Sequence, residues 1–386
     1  MDHLLNDAVK AIEISGIRRF FNLVQGKEDI LSLTIGQPDF YTPEHVKKSA
    51  KHAIDMNHTT YTHNAGILPL REAISTFVHK KYQLSYRPED EIIVTVGASQ
   101  AIDITLRTIL KKDDEVILPG PVYPGYEPLI KLAGAKPVFI DTRENGFKLT
   151  ADLIKSHLSP KTKAILIPYP SNPTGVTLNE GELEEIATLI DQKEIFLIAD
   201  EIYSELVYDQ SHYSIGRFTS IRDQIIIING LSKSHSMTGF RIGYILAPSW
   251  LAKHILKVHQ YNVSCASSIS QYAALEAIKN GAEDPEEMKK SYKMRRDYII
   301  KRCKEMKLHT YVPDGGFYFF IDISHLQSSS FDIALDIVEK AKLALVPGSA
   351  FSQYGEGFLR LSYAYDLTTL QQGMDRLENY FKNILQ

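Results

Sequence analysis

Ile195-Phe196-Leu197-Ile198-Ala199-Asp200-Glu201-Ile202-Tyr203 is the stretch on which the fold turns. Its first five residues are apolar without alternation, as in a strand covered on both faces, and the run ends abruptly in two acids. Six further runs read the same way: Glu91–Val96, Glu115–Leu118, Pro137–Ile140, Lys163–Ile167, Gln224–Ile228 and Arg241–Leu246. Helix-like stretches such as Ser99–Leu110 and Glu180–Asp191 fall between them. That alternation predicts an α/β fold, a mostly parallel seven-stranded sheet flanked by helices.

Downstream the pattern changes. Asp284–Lys304 is charged with helical spacing, and Asp284-Pro285 reads as a cap followed by a first helical residue. Strand runs at Gly316–Ile321, Leu343–Val346 and Gly357–Tyr363, with helices at Phe331–Lys340 and Leu367–Ile384, predict a smaller α+β domain. The segment up to Pro43 shows no sheet of its own and is expected to pack on that unit. The expected domains are therefore 44–283, and 1–43 with 284–386.

Composition narrows the function. The 386 residues carry a net charge of −4, which excludes the basic face of a nucleic-acid binder and a polybasic membrane anchor. The two cysteines, Cys265 and Cys303, form neither a disulfide framework nor a C-x-x-C metal site, and a reducing cytoplasmic compartment is expected. No apolar run approaches the roughly 18 residues of a membrane helix.

Ligands of open α/β sheets bind beyond the carboxyl ends of the strands. Read there, five strand ends converge: Gly97-Ala98-Ser99-Gln100, Pro119–Tyr123, Pro168–Gly175, Asp200–Tyr203 and Asn229–Lys233. The first opens a helix and offers backbone N–H groups to an anion, with Ser232 and Arg241 as further phosphate ligands. The sequence contains neither G-x-G-x-x-G nor G-x-x-x-x-G-K-[ST], so the phosphate belongs to something smaller than a dinucleotide. Lys233 is a candidate amine nucleophile, with a pKa lowered by burial and nearby cations. Asp200 can pair with a protonated ring nitrogen, Tyr123 can stack on a flat ring, and Asn172 and Tyr203 can hydrogen-bond a phenolic oxygen. A phosphate, an imine-forming lysine, a pyridinium partner and a stacking ring together describe pyridoxal 5'-phosphate (PLP).

In these motifs the chain resembles the fold-type I, class I/II aminotransferases. The matching stretches are Gly36–Asp39, Gly97–Gln100, Pro170–Gly175, Asp200–Tyr203, Ser232–Gly243 and Leu359–Ser362, in family order. The resemblance implies the aspartate aminotransferase-like fold and assigns roles. Lys233 would hold the cofactor and then shuttle a proton, Asp200 would keep the ring nitrogen protonated, and Asn172 and Tyr203 would bind the ring oxygen. Ser99, Gln100, Ser232 and Arg241 would hold the phosphate, and Tyr123 would stack on the ring. Tyr61 resembles the tyrosine that reaches the phosphate across a dimer interface, which implies a homodimer with shared sites. Arg360, assisted by the Gly36 backbone and Asn172, would clamp the substrate α-carboxylate. Lys253–Ala266 with Leu231–Gly243 further resembles the family branch acting on N-acetyl-LL-diaminopimelate, with 2-oxoglutarate and glutamate as partner pair. A general aromatic or aspartate aminotransferase, or a PLP-dependent C–S lyase built on the same lysine, are the alternatives. An aminotransferase-like domain of a transcription regulator ranks below them, because the motifs begin by Gly36.

Overall fold

A computed structural model describes residues 1–384. The seven runs form one sheet of strands β1 (Ile92–Thr95), β2 (Glu115–Gly120), β3 (Lys136–Asp141), β4 (Thr162–Ile167), β5 (Phe196–Asp200), β6 (Ile225–Gly230) and β7 (Gly243–Leu246). The spatial order is β1-β7-β6-β5-β4-β2-β3. The inner pairs are parallel, and β7 alone runs against both of its neighbours, β6 and β1.

The non-alternating apolar pattern follows from helices on both faces. Ile225 and Ile227 of β6 enter one core with Leu70, Ile186 and Ala273 from helices 68–82, 180–190 and 268–280. Ile226 and Ile228 point to the opposite core, with Ile104, Ile130 and Ile255 from helices 97–109, 126–132 and 249–263. All four isoleucines are almost completely buried. At roughly 1.5–3 kcal/mol each, they stabilise the sheet by about 6–12 kcal/mol before unfolded-state compaction is allowed for. Helix Glu180–Ile190 starts where its capping box dictates: Asn179 Oδ1 accepts from Glu182 N, and the Glu182 carboxylate accepts from Asn179 N.

A third core lies away from the sheet. It joins Tyr292 and Ile299 of helix Pro285–Glu305 to Phe319 and Leu361 of an antiparallel three-stranded sheet, to Phe317 just before that sheet's strand Tyr318–Asp322, and to Leu377 of helix Leu367–Ile384. Phe20, Val24 and Leu33 from the N-terminal segment are buried in it.

The N-terminal segment forms no sheet of its own, and its strand Leu31–Ser32 pairs in parallel with Leu343–Ala344 of the smaller unit. Two expectations are corrected. Asp284 precedes its helix without capping it, because His45 claims its carboxylate at 2.8 Å. The last sheet strand begins at Gly243, since Arg241 is held at φ +52° in the left-handed region, where no strand runs. Because β7 runs in reverse, its amino end and Arg241 just before it lie at the same sheet edge as the carboxyl ends of the other strands.

Candidate active site

At that edge, between the sheet and the third core, lies a cavity of about 840 Å³. Ser99, Tyr123, Asn172, Asp200, Tyr203, Ser232, Lys233 and Arg241 line it from the sheet side, and Gly36 and Arg360 from the other.

Lys233 follows β6. Its Nζ donates to the Gly36 carbonyl at 2.6 Å, bridging the two sides. Burial pushes this amine down to about 8, Arg360 and Arg241 add to the effect, and Asp200 opposes it. Asp200 ends β5. Its Oδ2 accepts from the Tyr126 hydroxyl at 2.8 Å and its Oδ1 from Ile202 N at 3.2 Å. Burial raises this carboxyl to about 6 despite those two bonds. Tyr126 is itself buried and held well above its usual pKa by desolvation, so it stays a neutral donor.

Helix Gly97–Ile109 has no side-chain cap, which leaves first-turn N–H groups free to meet an anion. Gly97 sits at φ +76°, and a Cβ there would come within 2.6 Å of an Arg241 guanidinium nitrogen. The guanidinium is thus packed on the helix terminus, anchored through Nη1 to the Thr238 carbonyl at 2.9 Å.

Arg360 is almost fully buried on the far wall. Its two terminal nitrogens donate to Asn172 Oδ1 at 2.9 Å and to the Thr34 carbonyl at 2.6 Å. The guanidinium carbon stands 4.4 Å from the Tyr318 ring centroid and 4.9 Å from that of Phe351. Its Nε is buried without a partner, and a buried donor left in that state costs about 1–3 kcal/mol. The Tyr203 and Tyr318 hydroxyls lie 3.0 Å apart in the same wall.

Two expected residues are not brought to this cavity. Gln100 turns away: its Oε1 accepts from Val96 N at 2.7 Å and its Nε2 donates to Asn262 Oδ1 at 2.9 Å. The side chain secures the helix start and does not line the anion cradle. Tyr61 is 88% exposed and lies outside the cavity of its own chain. Conversely, Tyr126 and Tyr318 belong to the site without having been singled out in the sequence. The only available signal for Tyr126 was its position three residues after Tyr123, and nothing marked Tyr318.

These groups fit PLP. An uncapped helix start and a packed guanidinium form a phosphate cradle, a buried carboxyl has only neutral hydrogen-bond partners, and an amine with a lowered pKa stands nearby. The chain belongs to the aminotransferase class I and II family, which it matches over residues 28–377, and is a PLP-dependent transaminase of the aspartate aminotransferase-like fold. Among individual proteins, it is 60% identical to a probable N-acetyl-LL-diaminopimelate aminotransferase of Bacillus subtilis, over 98% of this chain and 96% of that one. It is 41% identical to aromatic-amino-acid aminotransferase 2 of Thermococcus litoralis, over 98% of each. It superposes with a TM-score of 0.92 on Thermus thermophilus aspartate aminotransferase solved with maleate, at 34% identity, covering 97% of this chain and 99% of that one.

Proposed function

We propose that this enzyme transfers the amino group between N-acetyl-LL-diaminopimelate and 2-oxoglutarate/glutamate, in lysine and diaminopimelate biosynthesis. The observation that carries the choice of substrate is the 60% identity along nearly the whole of both chains to the Bacillus subtilis protein, well above the 41% to the Thermococcus litoralis aromatic-amino-acid aminotransferase 2. The working form is a cytoplasmic homodimer, each chain divided into a large unit over 44–283 and a small one formed by 1–43 and 284–386. Among the described residues no helix is long and apolar enough to cross a membrane.

PLP would be held by Lys233, with its phosphate on Ser99, Ser232, Arg241 and the start of helix Gly97–Ile109, and its ring between Tyr123 and the strand ends. When bound it supplies an electron sink conjugated with the substrate amine, the chemistry that transamination requires. Asp200, with one oxygen fixed by Tyr126, presents its charge to the ring nitrogen. Tyr203, tied to Tyr318, and Asn172, tied to Arg360, are positioned for the ring oxygen. Arg360 binds the incoming α-carboxylate, which relieves its unpartnered Nε, and Gly36 presents its backbone beside it. That grip orients the substrate Cα–H toward Lys233 Nζ, whose pKa near 8 suits it to take the proton and return it.

A panel of amino donors with 2-oxoglutarate as acceptor tests the proposal. N-acetyl-LL-diaminopimelate should give the highest kcat/KM. Faster turnover of aspartate or phenylalanine would move the enzyme to a general aminotransferase. Release of pyruvate and ammonia from cystathionine without any acceptor would make it a lyase.

A further inference from the structure

Tyr318 opens strand Tyr318–Asp322 of the small antiparallel sheet and stands opposite Ser362 on strand Phe358–Ser362. Residues two apart on a strand share a face, so this register sets Tyr318 diagonally against Arg360. The residue is almost fully buried, lines the cavity and meets three parts of the site. Its hydroxyl lies 3.0 Å from that of Tyr203. Its ring lies under the Arg360 guanidinium, whose carbon is 4.4 Å from the ring centroid. A Cβ on Gly36, whose carbonyl accepts from Lys233 Nζ, would run into the same hydroxyl.

We propose that Tyr318 is a positioning residue with two separable parts: its hydroxyl makes Tyr203 a stronger donor to the cofactor ring oxygen, and its ring holds the Arg360 fork in place for the substrate α-carboxylate. The inference rests on the roles given above to Tyr203 and Arg360. Proton count sets the direction of the Tyr203–Tyr318 bond. Burial holds both phenols above their ordinary range, so each keeps its single proton. Tyr203 gives its proton to the ring oxygen, so in the bond to Tyr318 it accepts. The Tyr318 hydroxyl has no other acceptor among the described residues. A hydroxyl that accepts one hydrogen bond donates a stronger one. A stronger donor draws negative charge off the ring oxygen, charge that would otherwise hold a proton on the nearby Lys233 nitrogen when it carries PLP. The ring acts separately, because a guanidinium seated on an aromatic face is held there without using its N–H donors.

The test compares PLP-loaded Tyr318→Phe, Tyr318→Leu, Tyr203→Phe and the double variant Tyr203→Phe/Tyr318→Phe with wild type. One readout is the midpoint of the pH titration of absorbance from PLP held on Lys233. The other is calorimetric binding of 2-oxoglutarate to the PLP-loaded enzyme, which involves no turnover. Tyr318→Phe loses the hydroxyl alone: the midpoint should rise by roughly 0.3–1 in pH. Its affinity for 2-oxoglutarate should stay within about twofold of wild type, because the ring remains. Tyr203→Phe should raise the midpoint further, and the double variant should match it, because the Tyr318 hydroxyl acts only through Tyr203. Tyr318→Leu should raise the midpoint as phenylalanine does and also weaken 2-oxoglutarate binding about 3- to 30-fold. A wild-type midpoint in Tyr318→Phe, or a double variant whose shift is the sum of the two single shifts, would overturn the part given to the hydroxyl. Wild-type affinity in Tyr318→Leu would overturn the part given to the ring. An unmoved midpoint in Tyr203→Phe would overturn the underlying reading of Tyr203, and the hydroxyl's part with it.

Discussion

Arg360 shows why residue type and not charge alone sets the chemistry. Its planar fork already holds Asn172 and Thr34, and one buried donor waits for a ligand. Arg360→Lys keeps the charge and loses the fork, so amino-acid binding should weaken by about 1–3 kcal/mol. Steady-state kinetics with the preferred donor checks this; unchanged KM and kcat would remove Arg360 from substrate binding. With the Lys233 pKa at about 8, roughly one amine in ten is neutral at pH 7. Capture of PLP by the apoenzyme should therefore accelerate as pH rises through 8 and level off above it, because only the deprotonated amine attacks. It should also fail below about 6, where Asp200 takes up a proton and loses the charge that faces the ring nitrogen. Stopped-flow absorbance across this range reads both limbs, and a flat profile would contradict them. Ser99, Tyr123, Asn172, Asp200, Tyr203 and Lys233 were legible in the sequence because each follows a strand that announces itself. Their partners were not: Tyr126 reaches Asp200 across 74 residues and Tyr318 reaches Tyr203 across 115, and no local spacing encodes contacts that only folding creates.

Among the elements, helix Gly97–Ile109 and strand β7 act as one device. The helix start supplies free N–H groups, and the reversed strand delivers Arg241 to the same place. Gly97 makes the approach possible through its positive φ and missing Cβ. Gly97→Ala should cost about 1–3 kcal/mol of local strain and displace the guanidinium, weakening PLP affinity by about tenfold or more. Titration of the apoenzyme with PLP measures the loss, and an affinity equal to wild type would show that the cradle lies elsewhere. The strand runs themselves could be read from composition, since covered strands leave no polar positions. The direction of β7 could not, because an apolar run carries no mark of which way it lies. Gln100 illustrates the same limit: the residue was visible at the helix start, but its bond to Asn262 depends on a helix 162 residues away.

For the molecule as a whole, the site exists because two packed bodies meet across it. Lys233 on the sheet side holds Gly36, and Arg360 on the other holds Asn172. The binding fork and the proton-transferring amine are thus set by how the sheet and the third core pack together. Tyr61, exposed and outside its own cavity, fits this frame only if a second copy brings its own Tyr61 to the site. On the proposed homodimer, the protein should sediment at twice the mass of one chain and Tyr61→Phe should bind PLP more weakly. Mixed dimers of Tyr61→Phe and Lys233→Ala chains should regain one working site of two, made from the intact Lys233 of one chain and the intact Tyr61 of the other. A monomer with full activity would contradict the shared site.

Borohydride trapping reads the attachment at Lys233 itself. The purified protein, incubated with PLP and reduced with borohydride, should carry one pyridoxyl adduct per chain, mapped by mass spectrometry to Lys233, and Lys233→Ala should carry none and turn over no substrate. An adduct on another lysine, or none in wild type, would contradict the account.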